Sequence, residues 1–302
     1  MRTTTTLLLA IVLLASCNQY QKTPSGLTYK ITKGSGKEKL KQGQFVKFNV
    51  EFRIPPKDSI FNTSYGHIPG YLVMDTARAS KHSFLEILPL CASGDKVDFV
   101  MSVDSLKKMG ALEYNNYFHQ RDLIKGKLEI LAVFNSQDLA NADVQKEVEL
   151  EKQREVKDLK AYTAKLGIKT LTTPSGALVE IVDAGEAQKA DSGKEVKVMY
   201  KGSLTTGAEF DANMGKNARS NQPLSVNIGA NGGPGTVVKG MDEGLRYFGK
   251  GGKGRIFIPA MLGYGQNGQP PVIPAYSNLV FDVEIVSVNA PAPPAPVAAP
   301  KK

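Results

Sequence analysis

The sequence predicts an α+β protein made of two copies of one domain, each an antiparallel β-sheet wrapped on a short helix, with a long charged helix joining them. Three observations carry this. Four blocks recur in the same order: Thr23-Pro24-Ser25-Gly26 as Thr173-Pro174-Ser175-Gly176, and Gly43-Gln44-Phe45-Val46-Lys47 as Gly193-Lys194-Glu195-Val196-Lys197. Phe61-Asn62-Thr63-Ser64-Tyr65-Gly66 returns as Phe210-Asp211-Ala212-Asn213-Met214-Gly215, and Gly94 to Val100 as Gly251 to Phe257. Chance identity rarely keeps order and spacing together. Within each copy, runs such as Val46 to Phe52, Val196 to Tyr200 and Leu279 to Val288 alternate or are β-branched, which predicts strands. Between the copies, residues 136–166 are rich in Glu and Lys and free of Gly and Pro.

Taken in chain order, Arg2 and four threonines precede an apolar run from Leu7 to Leu14, long enough for a signal-peptide core and too short to span a bilayer. Leu14-Ala15-Ser16-Cys17 follows, and it resembles the lipobox of bacterial lipoproteins, in which small residues precede a cysteine that is diacylated and becomes the new N-terminus. The resemblance implies a signal peptide over 1–16 and a lipidated tether over 17–22, anchored through Cys17. Each acyl methylene adds about 0.8 kcal/mol of membrane binding. The expected location is the cell envelope, on the outer membrane facing the periplasm. The competing reading is an ordinary secretory signal with a chance cysteine.

The first copy is placed at 23–134, with one short helical segment from Phe84 to Cys91. The joining segment is placed at 135–171. Its helix starts after Asn135-Ser136 as candidate N-caps and stops at Gly167, and Val144, Val148, Leu159, Tyr162 and Leu166 form a partial apolar stripe suited to packing on a domain. The second copy is placed at 172–288, with its helical segment from Met241 to Phe248. The tail over 289–302, rich in Pro and Ala, is expected to be disordered or polyproline II.

Composition narrows the partners. A net charge of +9 could suit nucleic acid, but the lysines are scattered and no stripe of arginine and aromatic residues appears, so no nucleic-acid partner is expected. His67, His82 and His119 have no metal-ligand spacing, so no metal is expected. Cys91 sits in the apolar run Leu88-Pro89-Leu90-Cys91 and reads as a small buried hydrophobe rather than a reactive thiol.

From Gly193 to Val288 the sequence resembles the FKBP-type peptidyl-prolyl cis–trans isomerases. The blocks that carry the resemblance are Val198-Met199-Tyr200-Lys201-Gly202, Gly207-Ala208-Glu209-Phe210-Asp211, the run Val237 to Leu245, Gly263-Tyr264-Gly265, Val272-Ile273-Pro274 and Asn278 to Glu284. The resemblance implies an enzyme for X–Pro bonds in exported, unfolded polypeptides, with no cofactor. It places Tyr200, Phe210, Val237, Val238, Met241, Ile273 and Phe281 in the wall of a proline pocket, with Leu224 and Val272 at its rim. It gives the Tyr264 hydroxyl and the Val238 N–H to substrate carbonyls and sets Asp211 beside Tyr200, so that Asp211, Tyr264 and Tyr200 form the catalytic group. Without the motif context, Phe210, Phe281 and Val238 would be ordinary core, Asp211 a turn residue and Tyr264 a loop aromatic.

The chemistry suits such residues. Rotation about a peptide bond meets a barrier of about 18–20 kcal/mol because resonance is lost, whereas both isomers of X–Pro are accessible. A catalyst needs no nucleophile; it must hold the twisted amide better than the planar one. Two departures from the family pattern stand out. Met241 occupies the pocket floor where the family usually has tryptophan, which implies a softer floor and reduced catalysis, and Gln269 stands where histidine is frequent. In the first copy Val50 matches Tyr200, Asn62 matches Asp211 and Phe84 matches Met241, and Gly-Tyr-Gly is missing, so that copy is expected to pack, space or bind clients. A non-catalytic periplasmic chaperone or proline-peptide-binding module is the alternative function. The sequence leaves the oligomeric state open.

Overall fold

The computed structural model describes residues 19–290 apart from 56, 78, 79, 231 and 234. The expected signal segment, Cys17 and the tail beyond residue 290 lie outside the described residues. The chain divides into two compact units, Met1–Glu147 and Val148–Lys302.

The first unit has β1 (Gln21–Lys22), β2 (Thr28–Thr32), β3 (Phe45–Ile54), β4 (Ser59–Thr63), β5 (Gly70–Val73), β6 (Lys96–Ser102), helix α1 (Val103–Lys108) and β7 (Leu123–Phe134). Helix α2 covers Gln137–Lys165. The second unit has β8 (Leu171–Thr172), β9 (Leu178–Asp183), β10 (Glu195–Leu204), β11 (Glu209–Ala212), β12 (Leu224–Asn227), helix α3 (Lys239–Leu245), β13 (Lys253–Ile258) and β14 (Leu279–Asn289). The first sheet runs β1-β2-β6-β7-β3-β4 with β5 also on β3, and the second runs β8-β9-β13-β14-β10-β11 with β12 also on β10. Every pairing is antiparallel, and the two orders are one topology. This is the α+β architecture that the repeat predicts.

The recurring Thr-Pro-Ser-Gly block has a physical role in both units. In the second, Gly176 N–H bonds Thr173 O at 3.0 Å to close a tight turn, and the Thr173 and Ser175 hydroxyls each donate to Glu243 of α3 at 2.7 Å. Burial opposes ionisation of Glu243, but the Ser175 and Thr173 hydroxyls, the Ser175 N–H and the Lys239 charge together hold the carboxyl below its ordinary range. In the first, Gly26 N–H bonds Thr23 O at 2.9 Å, and Thr23 and Ser25 donate to Glu86 at 2.8 and 2.5 Å.

The second sheet is covered on both faces because its central strands are apolar on both. Val179, Val196, Val198, Ile256, Ile258, Leu279, Phe281, Val283 and Ile285 share one buried cluster with Met241 and Leu245 of α3. Their neighbours Leu178, Phe257 and Val280 point the other way and bury Leu159 of α2, with Tyr162 and Ile168 at the margin. Leu159 is fully buried and the Tyr162 ring meets Phe257 at 6.2 Å, whereas Leu166 is 52% exposed and takes no part. The helix starts at Ser136, whose Oγ accepts the Leu139 N–H at 3.4 Å, and it ends at Gly167 with φ 70°, the left-handed cap that favours glycine. In the first unit, Lys47 pairs with Asp143 and Glu147, each at 2.7 Å.

Two features of the first unit differ from the sequence reading. Phe84 to Cys91 is not one helix but two 3-10 turns, Phe84–Glu86 and Leu88–Leu90, because Pro89 has no N–H to give and its ring clashes with the preceding turn of an α-helix. Helix α1 was not foreseen, although its signals are present: Ser102 Oγ accepts from Ser105 N–H, Asp104 lies in the first turn, and Lys107 and Lys108 in the last. Cys91 is fully buried, its thiol donates to Ile87 O at 3.4 Å, and burial pushes it up to about 12.

The docking of α2 on the second sheet predicts that Leu159→Ala costs about 2–5 kcal/mol in a urea melt of the full chain. Leu166→Ala should change it by less than about 0.5 kcal/mol. Equal effects at the two positions would show that the stripe is not packed as described.

Candidate active site

The site grows from one row of residues across three strands. On the β10–β14 ladder Tyr200 lies opposite Val283 and Gly202 opposite Phe281; on the other edge of β10, Gly202 lies opposite Asp211. Phe210 and Asp211 are consecutive and would ordinarily point to opposite faces. The register between β10 and β11 shifts at this point, since Ser203 pairs with Glu209 and Gly202 with Asp211, leaving Phe210 as the extra residue of a bulge. The bulge lets both side chains serve one pocket. The Phe210 ring meets Phe281 edge-on at 5.5 Å, and Asp211 Oδ2 accepts the Tyr200 hydroxyl proton at 2.6 Å.

Gly202 makes the floor possible. A Cβ there would stand 2.7 Å from the Phe210 ring and 2.9 Å from the Phe281 ring, so the two phenylalanines lie directly over the backbone. Tyr200 packs against Phe281 at 6.0 Å. Met241, Ile273 and Phe281 are buried at 3%, 2% and 5% exposure, and Tyr200, Phe210, Val237, Val238 and Tyr264 pack half-buried on the same cluster. The structure therefore brings together every pocket and catalytic residue expected from the sequence except Leu224 and Val272. Leu224 opens β12 opposite Val198, Val272 tips the turn closed by Gln269 and Ile273, and both are exposed.

The polar groups are unequal. Burial pushes the pKa of the Tyr200 phenol up, and the hydrogen bond to Asp211 and the Asp211 charge push it further; burial and the Asp211 charge raise that of Tyr264 as well. Both remain neutral donors near neutral pH. Arg219 lies 3.6 Å from Asp211 Oδ1 but is 74% exposed, so its pull is screened by water. Among the described residues neither the Tyr264 hydroxyl nor the Val238 N–H, at the N-cap of α3, has a hydrogen-bond partner.

Gly202, Asn213 and Arg219 belong to the site and were not singled out from the sequence. Asn213 Oδ1 accepts the Tyr200 N–H at 2.5 Å while its amide donates to Val198 O and Gln222 O, so it pins the chain leaving Asp211 against β10. Its only signal was its match to Ser64, whose Oγ accepts the Val50 N–H in the first unit.

In the first unit the same row is filled. Phe52 stands where Gly202 does and Gly126 where Phe281 does, and the Phe99 ring lies over Gly126. Phe52, Phe84 and Phe99 pack together with centroids 5.8 to 6.3 Å apart. Asn62 lies opposite Phe52, in the place of Asp211. Helix α1 follows β6 where the second unit has the 3-10 turn leading to Tyr264.

Known proteins similar to this chain match the second unit. The sequence model of the FKBP-type peptidyl-prolyl cis-trans isomerase family matches residues 186–286. The chain is 37% identical over 113 residues to the FK506-binding protein of Neisseria meningitidis serogroup B, covering 37% of this chain and 96% of that protein. It is 38% identical over 134 residues to the FKBP-type peptidyl-prolyl cis-trans isomerase FkpA of Escherichia coli, covering 44% of each chain. It is 40% identical over 117 residues to FK506-binding protein 4 of Dictyostelium discoideum, covering 39% of this chain and 29% of that one. A pocket of this composition, within a match that spans nearly the whole Neisseria protein, makes the chain a member of the FKBP-type peptidyl-prolyl cis–trans isomerase family.

Proposed function

We propose that the second unit of this isomerase acts without a covalent step, by seating the proline ring on Phe281, Phe210, Met241 and Ile273 and binding the twisted amide at the mouth. Rotation removes the resonance that places negative charge on the carbonyl oxygen and lets the nitrogen become pyramidal. An apolar, water-poor pocket favours this less polar state over the planar one. The Asp211 carboxylate, held by Tyr200, faces the amide carbonyl and disfavours its charge-separated planar form. The observation that carries the reading is the pair of donors without a partner among the described residues, Tyr264 Oη and Val238 N–H, beside that aromatic floor. They suit the flanking carbonyls of an extended peptide and fix its register, so that binding energy remote from the reacting bond orients it. Met241 gives a flexible floor, consistent with modest turnover.

The clients we propose are exported polypeptides whose X–Pro bonds isomerise in tens of seconds unaided, slowly enough to limit folding. The first unit is read as non-catalytic, because Phe52, Phe84 and Phe99 fill the groove and Asn62 replaces the carboxylate. The apolar run Leu7 to Leu14 and the Leu14-Ala15-Ser16-Cys17 sequence support export and a lipid anchor at Cys17, with the protein facing the periplasm. Mass spectrometry of the mature protein should find a diacylated Cys17 at the N-terminus. An intact Met1 would refute the anchor.

In the full chain, assayed on a proline tetrapeptide, Asp211→Ala should lower kcat/KM roughly ten- to a hundredfold, the range for a bond to a charged group, and Tyr264→Phe about two- to tenfold. Both should stay folded. Wild-type rates in both variants would mean the site is misplaced. Gly202→Ala should lower kcat/KM at least about tenfold and cost about 1–3 kcal/mol of stability, because a ring must move to admit the methyl. An active, fully stable alanine variant would contradict the packing of Phe210 and Phe281 over the β10 backbone.

A further inference from the structure

The turn that carries Tyr264 is held by the joining helix as well as by its own domain's loops. After β13 the chain passes Pro259 and makes one 3-10 turn, Ala260–Leu262, before Gly263 and Tyr264. Its later N–H groups are satisfied internally, Leu262 to Pro259 O and Gly263 to Ala260 O, each at 2.9 Å. The first two point outward and need acceptors from elsewhere. Ala260 N–H finds Asn278 Oδ1 at 3.0 Å, and Met261 N–H finds Glu155 Oε2 of α2 at 2.9 Å, 106 residues earlier in the chain. On the far side, Gly268 N–H bonds Tyr264 O at 3.1 Å. The tyrosine is thus clamped before and after.

Glu155 is an unusual residue for that task. It is 3% exposed, one turn before the fully buried Leu159 that fixes α2 on the sheet. The carboxyl of Glu151, one turn earlier and 4% exposed, pairs with Arg154. No hydrogen-bond donor among the described residues reaches Glu155 Oε1. Burial first, then the Glu151 charge, push Glu155 up to about 7, against the pull of the Met261 N–H and Arg154. Burying a carboxyl with one oxygen lacking a donor is unfavourable, and a leucine here would continue the apolar stripe of Leu159. What the carboxyl does at this position is accept the Met261 N–H.

We infer that Glu155 is a positioning residue of the isomerase: it fixes Met261 and, through the rigid turn Ala260–Leu262, sets the place of the Tyr264 hydroxyl at the pocket mouth. This rests on the reading of Tyr264 as a donor to substrate. The joining helix is then part of the active-site scaffold.

The test is a double-mutant cycle in the full chain. Glu155→Gln keeps a carbonyl that accepts the Met261 N–H, whereas Glu155→Met matches the volume without an acceptor, and each is combined with Tyr264→Phe. Glu155→Gln should stay within about twofold of wild type. Glu155→Met should lower kcat/KM about two- to tenfold, chiefly through KM, the range for one neutral hydrogen bond. In the Tyr264→Phe background the same substitution should cost less than about twofold, because nothing is left to position. A Glu155→Met variant with wild-type kinetics, or an equal loss in both backgrounds, overturns the inference while leaving the site intact. If Tyr264→Phe alone has no effect, it is instead the reading of Tyr264 that fails. Glu155→Ala serves as a second acceptor-free variant. Amide exchange of Met261 in the wild type gives a reading that needs no variant: it should be protected, and exchange at the free-peptide rate overturns the assignment.

Discussion

Phe281 lying across Gly202 is the contact on which the pocket depends. One strand offers a bare backbone and the next a ring, and the antiparallel register places them opposite each other. Phe210 comes in from the third strand only because a bulge turns it to the same side as Asp211. Tyr200, two residues before Gly202, then faces the pocket as well, by the period of a strand. The apolar seat and the Tyr200–Asp211 hydrogen bond are therefore consequences of one register.

The first unit fills the same row with a different set of side chains. Its strand order, its bulge after β3 and its Thr-Pro-Ser-Gly turn capped by a glutamate all match the second unit. Yet the phenylalanine and the glycine have exchanged strands, Phe52 for Gly202 and Gly126 for Phe281. Phe99 in place of Ile256 and Phe84 in place of Met241 complete a packed aromatic cluster. Side-chain volume is conserved well enough to keep a core, while the aromatic rings are distributed differently over the same row. The extra residue of the bulge, Phe61, turns out to Phe118 at 5.7 Å and is 56% exposed.

The second sheet also shows why the joining helix is more than a spacer for that unit. Its inner strands are apolar on both faces, and α3 can cover only one; Leu159 and Tyr162 of α2 cover Leu178, Phe257 and Val280 on the other. Once α2 lies there, a polar residue one turn before Leu159 is within reach of the turn after β13. The Glu155–Met261 hydrogen bond follows from that packing.

Several features were legible in the sequence for physical reasons. The duplication declares itself in the recurring Thr-Pro-Ser-Gly block, strands in the β-branched runs of β10 and β14, and the joining helix in its lack of Gly and Pro. The pocket residues, from Tyr200 to Phe281, were legible only because their spacing as a set resembles one family; singly each reads as core. What the sequence could not express is register and partnership between distant segments. It showed neither the bulge at Phe210 nor the rings over Gly202, and it left the faces covered by α2 open. It hid the two 3-10 turns around Pro89 behind an apolar run. The meeting of Glu155 with Met261, 106 residues apart, was decided by the packing of a helix on a sheet, because a hydrogen bond between remote segments exists only once burial has brought them within 3 Å.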